Sequence, residues 1–173
     1  VYTNILNKSS SELYDQISRK KEKLELKYNS TVFSELEGRT DYKTDMKNEY
    51  YEKLLKFRED DIRCGFTQIG IHRDDISVKI NGFSVRDFGS QGQNRSAALC
   101  MKLGQAKALL DETKEMPVIL LDDVLSELDS YRRDFVFGQI KDAQIFITCC
   151  EPVLKTGCNI YEVNNGNITL KKG

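Results

Sequence analysis

The chain has 173 residues, 39% hydrophobic and 31% charged, with 26 Lys and Arg set against 27 Asp and Glu. That length suits one domain with an appendage and can bury a core large enough to fold without a disulfide or metal staple. No apolar run reaches the roughly 18–20 residues needed to cross a bilayer, Val1-Tyr2-Thr3-Asn4 lacks the pattern of a signal peptide, and the balanced charge leaves any DNA binding to a local basic patch.

In chain order, Ser9 to Ser11 predict the cap of a short helix running through Leu13 and Ile17. The basic run Arg19-Lys20-Lys21-Glu22-Lys23 reads as a solvated turn, and Leu24, Leu26 and Tyr28 then alternate with charged residues as in a half-buried strand. From Tyr42 to Ile62, Tyr50, Leu54, Phe57 and Asp61 recur at helical spacing. Met46, Leu55 and Ile62 widen that stripe into the face of a long amphipathic helix. Ile76, Val78 and Ile80 alternate up to Asn81-Gly82, a strong hairpin signal. The loop Phe88 to Gln93 opens a helix of about twenty residues carrying Ala97, Ala98, Met101, Leu103 and Leu109. Val118 to Leu121 reads as a buried parallel strand, followed by a helix from Tyr131 to Ile140 and a second apolar strand, Ile145 to Thr148. Ile160 to Val163, Asn165-Gly166 and Ile168 to Leu170 predict a closing hairpin. The alternation of strands and helices argues an α/β fold.

Five cysteines (Cys64, Cys100, Cys149, Cys150 and Cys158) form no C-x-x-C pair. They read as reduced cytosolic thiols filling small apolar spaces, not as zinc ligands or disulfides. The chain opens on Val1 and not on Met, so it is expected to be cut from something longer.

Chemistry concentrates at two places. In open α/β sheets ligands gather beyond the carboxyl ends of the strands, and there Val118–Leu121 delivers Asp122 and Asp123. Four apolar residues and two acids are the arrangement of a Walker B strand, whose first carboxylate holds Mg²⁺ and whose second polarises the attacking water. A strand ending at solvent in two acids is the plainer alternative. At Ser90-Gln91-Gly92-Gln93, a Ser and a Gly at the start of a helix offer a hydroxyl and free N–H groups to an anion, or simply cap the helix. The order is harder to obtain by chance: a Ser-x-Gly-Gln turn opening a helix, the acidic strand end about thirty residues later, then Ser126-Glu127-Leu128-Asp129.

Phe88 to Arg95 resembles the signature motif of ABC-type ATPases, and Leu120 to Asp129 resembles their Walker B strand running into the D-loop. With Gly70-Ile71-His72-Arg73-Asp74-Asp75 upstream, the chain resembles the RecF family of SMC-like bacterial DNA repair ATPases, closely from Gly65 to about Thr148. The resemblance implies a partial ABC-type (SMC-like) ATPase head at residues 64–173, with an arm-lobe segment at residues 1–63. It implies ATP with Mg²⁺, a head-to-tail homodimer around two nucleotides with slow hydrolysis, and binding to DNA at gaps with RecR and RecO to help load RecA. By position, Asp122 matches the metal aspartate and Asp123 the catalytic carboxylate. Ser90, Gln91, Gly92 and Gln93 match the signature that meets the opposite subunit's ATP, while Ser126 and Asp129 match the D-loop.

Three departures accompany the match. The chain contains no G-x-x-x-x-G-K-[ST], so the phosphate-cradling half of the site lies outside it. Cys149-Cys150 follow Thr148 where the family carries threonines, and Ile71 stands where it carries Pro. His72-Arg73-Asp74 is no kinase catalytic loop, because Lys79 occupies the place of the required Asn. His72 reads as a histidine bridging loop backbone. Two alternatives to a RecF ATPase portion are a non-catalytic docking module supplying a signature in trans and a different SMC-like head, against which the short arm argues.

Overall fold

The computed structural model describes residues 2–33, 44–125, 128–139, 143–150 and 158–171, and the chain forms two units, Val1–Gln105 and Ala106–Gly173. The first begins with α1 (Tyr2–Ile17), which buries Leu6, Ser9, Ser10, Leu13, Tyr14 and Ile17 along one side. Two of these six are serines, so polarity alone hides the first half of the stripe, and the helix starts well before the cap expected at Ser9. Arg19 and Lys20 turn the chain with φ of 56° and 58°, an uncommon left-handed pair. The basic run is a turn, as expected, and it leads into β1 (Leu24–Asn29).

β1 lies at the edge of an antiparallel sheet of order β1-β2-β3, with β2 at Asp75–Ile80 and β3 at Phe83–Ser84. Leu24 faces Ile80 and Asn29 faces Asp75. α1 satisfies backbone groups of β1 that β2 does not reach: Asn7 Oδ1 accepts the Leu26 N–H at 2.7 Å, and Ser11 Oγ donates to the Leu24 carbonyl at 2.5 Å. An open strand edge is a liability that proteins cover, and here two side chains one helical turn apart cover it. The Asn81-Gly82 turn has φ of 51° and 84°, the left-handed pair of a tight hairpin. β3 has only two residues because the chain enters α3 (Val85–Phe88).

α2 (Thr44–Cys64) confirms the long amphipathic helix, but Leu55 and Ile62 are 50% and 72% exposed, so the widened face is not buried. Tyr50, Leu54 and Phe57 are half-buried, and Asp61 accepts the Gln68 N–H at 2.9 Å. α4 (Gln91–Thr113) contains the division between the units. Within the first unit its buried positions are Ser96, Ala97, Leu99, Cys100, Leu103 and Gly104; Ala98 is exposed and Met101 half-buried, so the buried line runs along smaller residues than expected. Gly104 meets Ser10 of α1: a Cβ at Gly104 would stand 2.5 Å from Ser10 Oγ and 3.0 Å from its backbone nitrogen.

In the second unit β4 (Ile119–Asp122) and β5 (Ile145–Thr148) pair in parallel, Ile119 facing Ile145 and Asp122 facing Thr148. Leu121 is buried, but Leu120 and Phe146 are 73% and 56% exposed, so the strands are covered on one face and not on both, as the apolar run had promised. α5 (Ser130–Gln139) follows β4, and β6 (Ile160–Asn164) with β7 (Asn167–Lys171) forms the expected hairpin around Asn165-Gly166. Cys100 alone acts as the small apolar filler foreseen for the thiols, with burial pushing it up to about 12; the other four are exposed. Among the described residues no helix is long and apolar enough to cross a membrane.

The Gly70–Asp75 segment is a structural tie. Ile71–Arg73 forms a 3₁₀ turn without the family's Pro. Asp74 accepts from the Tyr28 hydroxyl, from the Thr31 N–H at 2.7 Å, from Thr31 Oγ1 at 2.9 Å and from Ser30 Oγ at 3.3 Å. Burial pushes its carboxyl up, but these hydrogen bonds outweigh it and hold the carboxyl below its usual range. The hydrogen bond to Asp74, helped by burial and the carboxylate charge, raises Tyr28 to about 12.

Two predictions follow from this packing. Gly104→Ala should lower stability, because overpacking costs about 1–3 kcal/mol while the gain in helix propensity is about 0.5–1 kcal/mol. Ser10→Ala, which removes a buried hydroxyl with no hydrogen-bond partner, should be close to neutral, and urea midpoints of both variants check the pair. Asp74→Asn should lower stability at pH 7 by about 1.5–3 kcal/mol, the scale for hydrogen bonds to a charged group. A depressed carboxyl contributes fully above its unfolded value, about 3.9, and loses that contribution as pH falls through the folded value. The gap between wild type and Asp74→Asn should therefore close as urea titrations move from pH 5 toward pH 2.

Candidate functional site

In the first unit the site begins where α3 ends. Gly89 donates its N–H to the Val85 carbonyl at 3.0 Å, and a Cβ at Gly89 would overlap that same oxygen, so only glycine fits. Ser90 then caps α4 reciprocally. Its Oγ accepts the Gln93 N–H at 3.2 Å, and Gln93 Oε1 accepts the Ser90 N–H at 2.9 Å. This is a capping box, with Gln three residues after Ser. Asn94 Nδ2 adds bonds to the Gly89 and Ser90 carbonyls at 3.0 and 3.1 Å. The cap and the anion cradle are not alternatives here. The cap uses a lone pair of Ser90 Oγ, whereas an anion would be met by the hydroxyl hydrogen and by the Gln91 and Gly92 N–H groups, which have no intrahelical acceptor in the first turn.

In the second unit Asp122 and Asp123 stand at the carboxyl end of β4, both exposed. Thr148, the last residue of β5, joins them: its hydroxyl donates to Asp122 Oδ1 and lies 3.1 Å from the Asp123 nitrogen, while its carbonyl accepts the same N–H at 3.1 Å. Asp123 is left-handed, φ 50°, a conformation Asp tolerates better than most residues, and it takes the chain out of the extended strand. The sequence places Thr148 at a strand end, opening the Thr148-Cys149-Cys150 run where the resembled family carries threonines, and assigns it no contact with the two acids. The register that sets Asp122 opposite Thr148 is the signal that identifies it.

Asp129 caps α5. Its Oδ1 accepts the Arg132 N–H at 2.8 Å and its Oδ2 pairs with the guanidinium at 2.7 Å. The backbone hydrogen bond from Arg132 holds the Asp129 carboxyl below its usual range; burial opposes it, and the Arg132 charge, its side-chain hydrogen bond and the Tyr131 backbone add to the lowering. Ser126 lies outside the described residues. His72 Nε2 stands 3.1 Å from the Thr67 carbonyl, bridging loop backbone as expected, and Arg73 Nε donates to the same oxygen at 3.3 Å with its guanidinium over Phe66. Asp74 and its partners are therefore architecture, not chemistry.

No protein-family model matches the chain. The DNA replication and repair protein RecF of Clostridium acetobutylicum is 34% identical over 172 residues, covering 96% of this chain and 45% of that protein. RecF of Clostridium beijerinckii is 40% identical over the same share of each. A solved structure described as the recombination mediator protein RecF with ATP, in the RecFOR pathway, superposes with a TM-score of 0.79 at 33% identity, covering 99% of this chain and 44% of that one. The chain spans under half the length of the relatives it matches. That likeness extends over nearly every residue of this chain, and the α/β fold superposes on a RecF structure, so the chain is similar throughout to a part of the RecF proteins.

Proposed function

We propose that this chain is the carboxy-terminal portion of a RecF-type DNA repair ATPase and supplies one face of a nucleotide site shared between two copies. The observation that carries the reading is Thr148 joining Asp122 and Asp123 at a strand end, in a chain that also carries a capped signature helix. Preorganised groups at a strand end and a helix start are what phosphoryl transfer asks of a protein. In this reading the Ser90 hydroxyl and the Gln91 and Gly92 N–H groups of one copy meet the γ-phosphate of ATP held by the other, with Gln93 fixing Ser90. Ser126 and Asp129 lie on the D-loop that crosses the dimer.

Asp122 suits Mg²⁺, a hard ion that takes one or two carboxylates and fills its shell with substrate phosphates and water. Bound there, Mg²⁺ would neutralise charge on the phosphates. Asp123 accepts the proton of the attacking water, a role worth about 10²–10⁴-fold in rate. Residues 1–63 belong in this reading to an arm lobe and residues 64–173 to the ATPase head. The whole protein acts in the cytoplasm, binds DNA at gaps, works with RecR and RecO, and helps load RecA. The lack of G-x-x-x-x-G-K-[ST] in the chain favours a second statement about the chain on its own: it completes another copy's site and does not hydrolyse ATP alone.

In a protein carrying both halves, Asp123→Asn should reduce ATP turnover by about 10²–10⁴-fold and leave ATP-driven dimerisation intact; unchanged turnover would remove the base assignment. Thr148→Val, which keeps the shape and deletes the hydroxyl, should lower turnover by about 10–100-fold, the usual range for a group that orients a ligand. Steady-state kinetics measure both effects.

A further inference from the structure

Glu22 sits in the basic run that the sequence reads as a solvated turn, yet all three of its oxygens are engaged. Its backbone carbonyl lies 3.1 Å from Ser18 Oγ. The next residue is fixed twice to the hairpin turn, with the Lys23 N–H donating to Asn81 Oδ1 and the Asn81 N–H to the Lys23 carbonyl, both at 2.9 Å. The left-handed pair Arg19 and Lys20 delivers Glu22 to this place, and such strain persists only where the surroundings over-determine it. The carboxylate then bridges two partners. Oε2 accepts the hydroxyl of Tyr14, a residue 1% exposed, at 2.8 Å, and Oε1 accepts Gln93 Nε2 at 2.8 Å. Gln93 is the residue whose other amide atom, Oε1, holds the Ser90 N–H.

We propose that Glu22 is a positioning residue for the signature turn: through Tyr14 and Gln93 it fixes the amide orientation of Gln93 and thereby the cap that aims Ser90. The amide has two faces. With Nε2 committed to a carboxylate, which accepts and never donates, Oε1 is the atom left for the Ser90 N–H. Without Glu22 the amide is free to flip or leave, and the reciprocal half of the capping box is lost. This deepens the proposed function, because Ser90 matters to catalysis only if it belongs to the signature.

The test has one arm for each claim. By amide hydrogen exchange on this chain, Glu22→Ala should accelerate exchange of the Ser90 N–H about tenfold, the equivalent of one lost hydrogen bond. Glu22→Gln, whose oxygen still accepts from Gln93 while its amide meets the Tyr14 oxygen, should restore slow exchange. Glu22 is half-buried at the surface, so both variants should fold. Equal exchange in Glu22→Ala and wild type would overturn the proposal, whatever the protein's activity. In a protein carrying both halves, Glu22→Ala should lower kcat about tenfold at unchanged KM, with Glu22→Gln restoring it. A Ser90 amide released at full kcat would overturn the catalytic half of the proposal. If Ser90→Ala also left kcat unchanged, the signature reading itself would be at fault, and the exchange result for Glu22 would still stand.

Discussion

Two hydrogen bonds from α1 to the backbone of β1 set the position from which the first unit is built. Asn7 and Ser11 lie four residues apart on one helical face and meet the Leu26 N–H and the Leu24 carbonyl, a spacing that matches a strand edge. They do more than cover polar groups. They fix α1 in rotation and height against β1, so Ser10 falls on the line where Gly104 of α4 approaches and Tyr14 falls within reach of Glu22. β1 is in turn locked by six residues of register to β2, which ends at the Asn81 turn that holds Lys23. The capped start of α4 is thus tied back to α1 by side-chain bonds on one side and by packing on the other.

The motif residues share a physical role. Ser90 and Gln93 close the first turn of α4, Asp129 closes that of α5, and Thr148 gathers the groups released where β4 ends. Each stands where regular structure leaves backbone groups without partners, and an unpaired group is expensive once removed from water. Residues placed there are held firmly by the need to satisfy that backbone. A group held firmly before substrate arrives needs little reorganisation afterwards. Asp74 is the instructive contrast. It has as many partners as the motif residues, but those partners are Tyr28, Ser30 and Thr31 of the strand and its exit, and they hold architecture together.

The sequence revealed element types and order well and burial poorly. Period-two alternation found β1 and β2, and the Asn165-Gly166 turn found the final hairpin, because those signals are local. The start of α1 was missed because Ser9 and Ser10 are buried, and a polarity pattern does not register serines as core. Ser10 is small because Gly104 comes close, a reason that lies about ninety positions away in the chain. Leu120 and Phe146 were expected inside and are exposed, since hydrophobicity reports what a strand prefers to cover and not what covers it in this chain. At the site, Asp122, Asp123, Ser90 and Gln93 could be read from motif order. Thr148 and Glu22 could not, because their roles depend on strand register and on a left-handed turn. The plain reading of the basic run as a turn was right about the backbone and silent about the one acid within it.

The central claim is that this chain contributes a signature face to an ATP site held by another copy. Its most direct measurement is sedimentation of this chain with an intact RecF-family protein that carries the phosphate-cradling motif, in ATP, in ADP and without nucleotide. Association should require ATP and disappear when Ser90→Arg fills the first turn of α4. Association indifferent to nucleotide, or surviving Ser90→Arg unchanged, would contradict that claim.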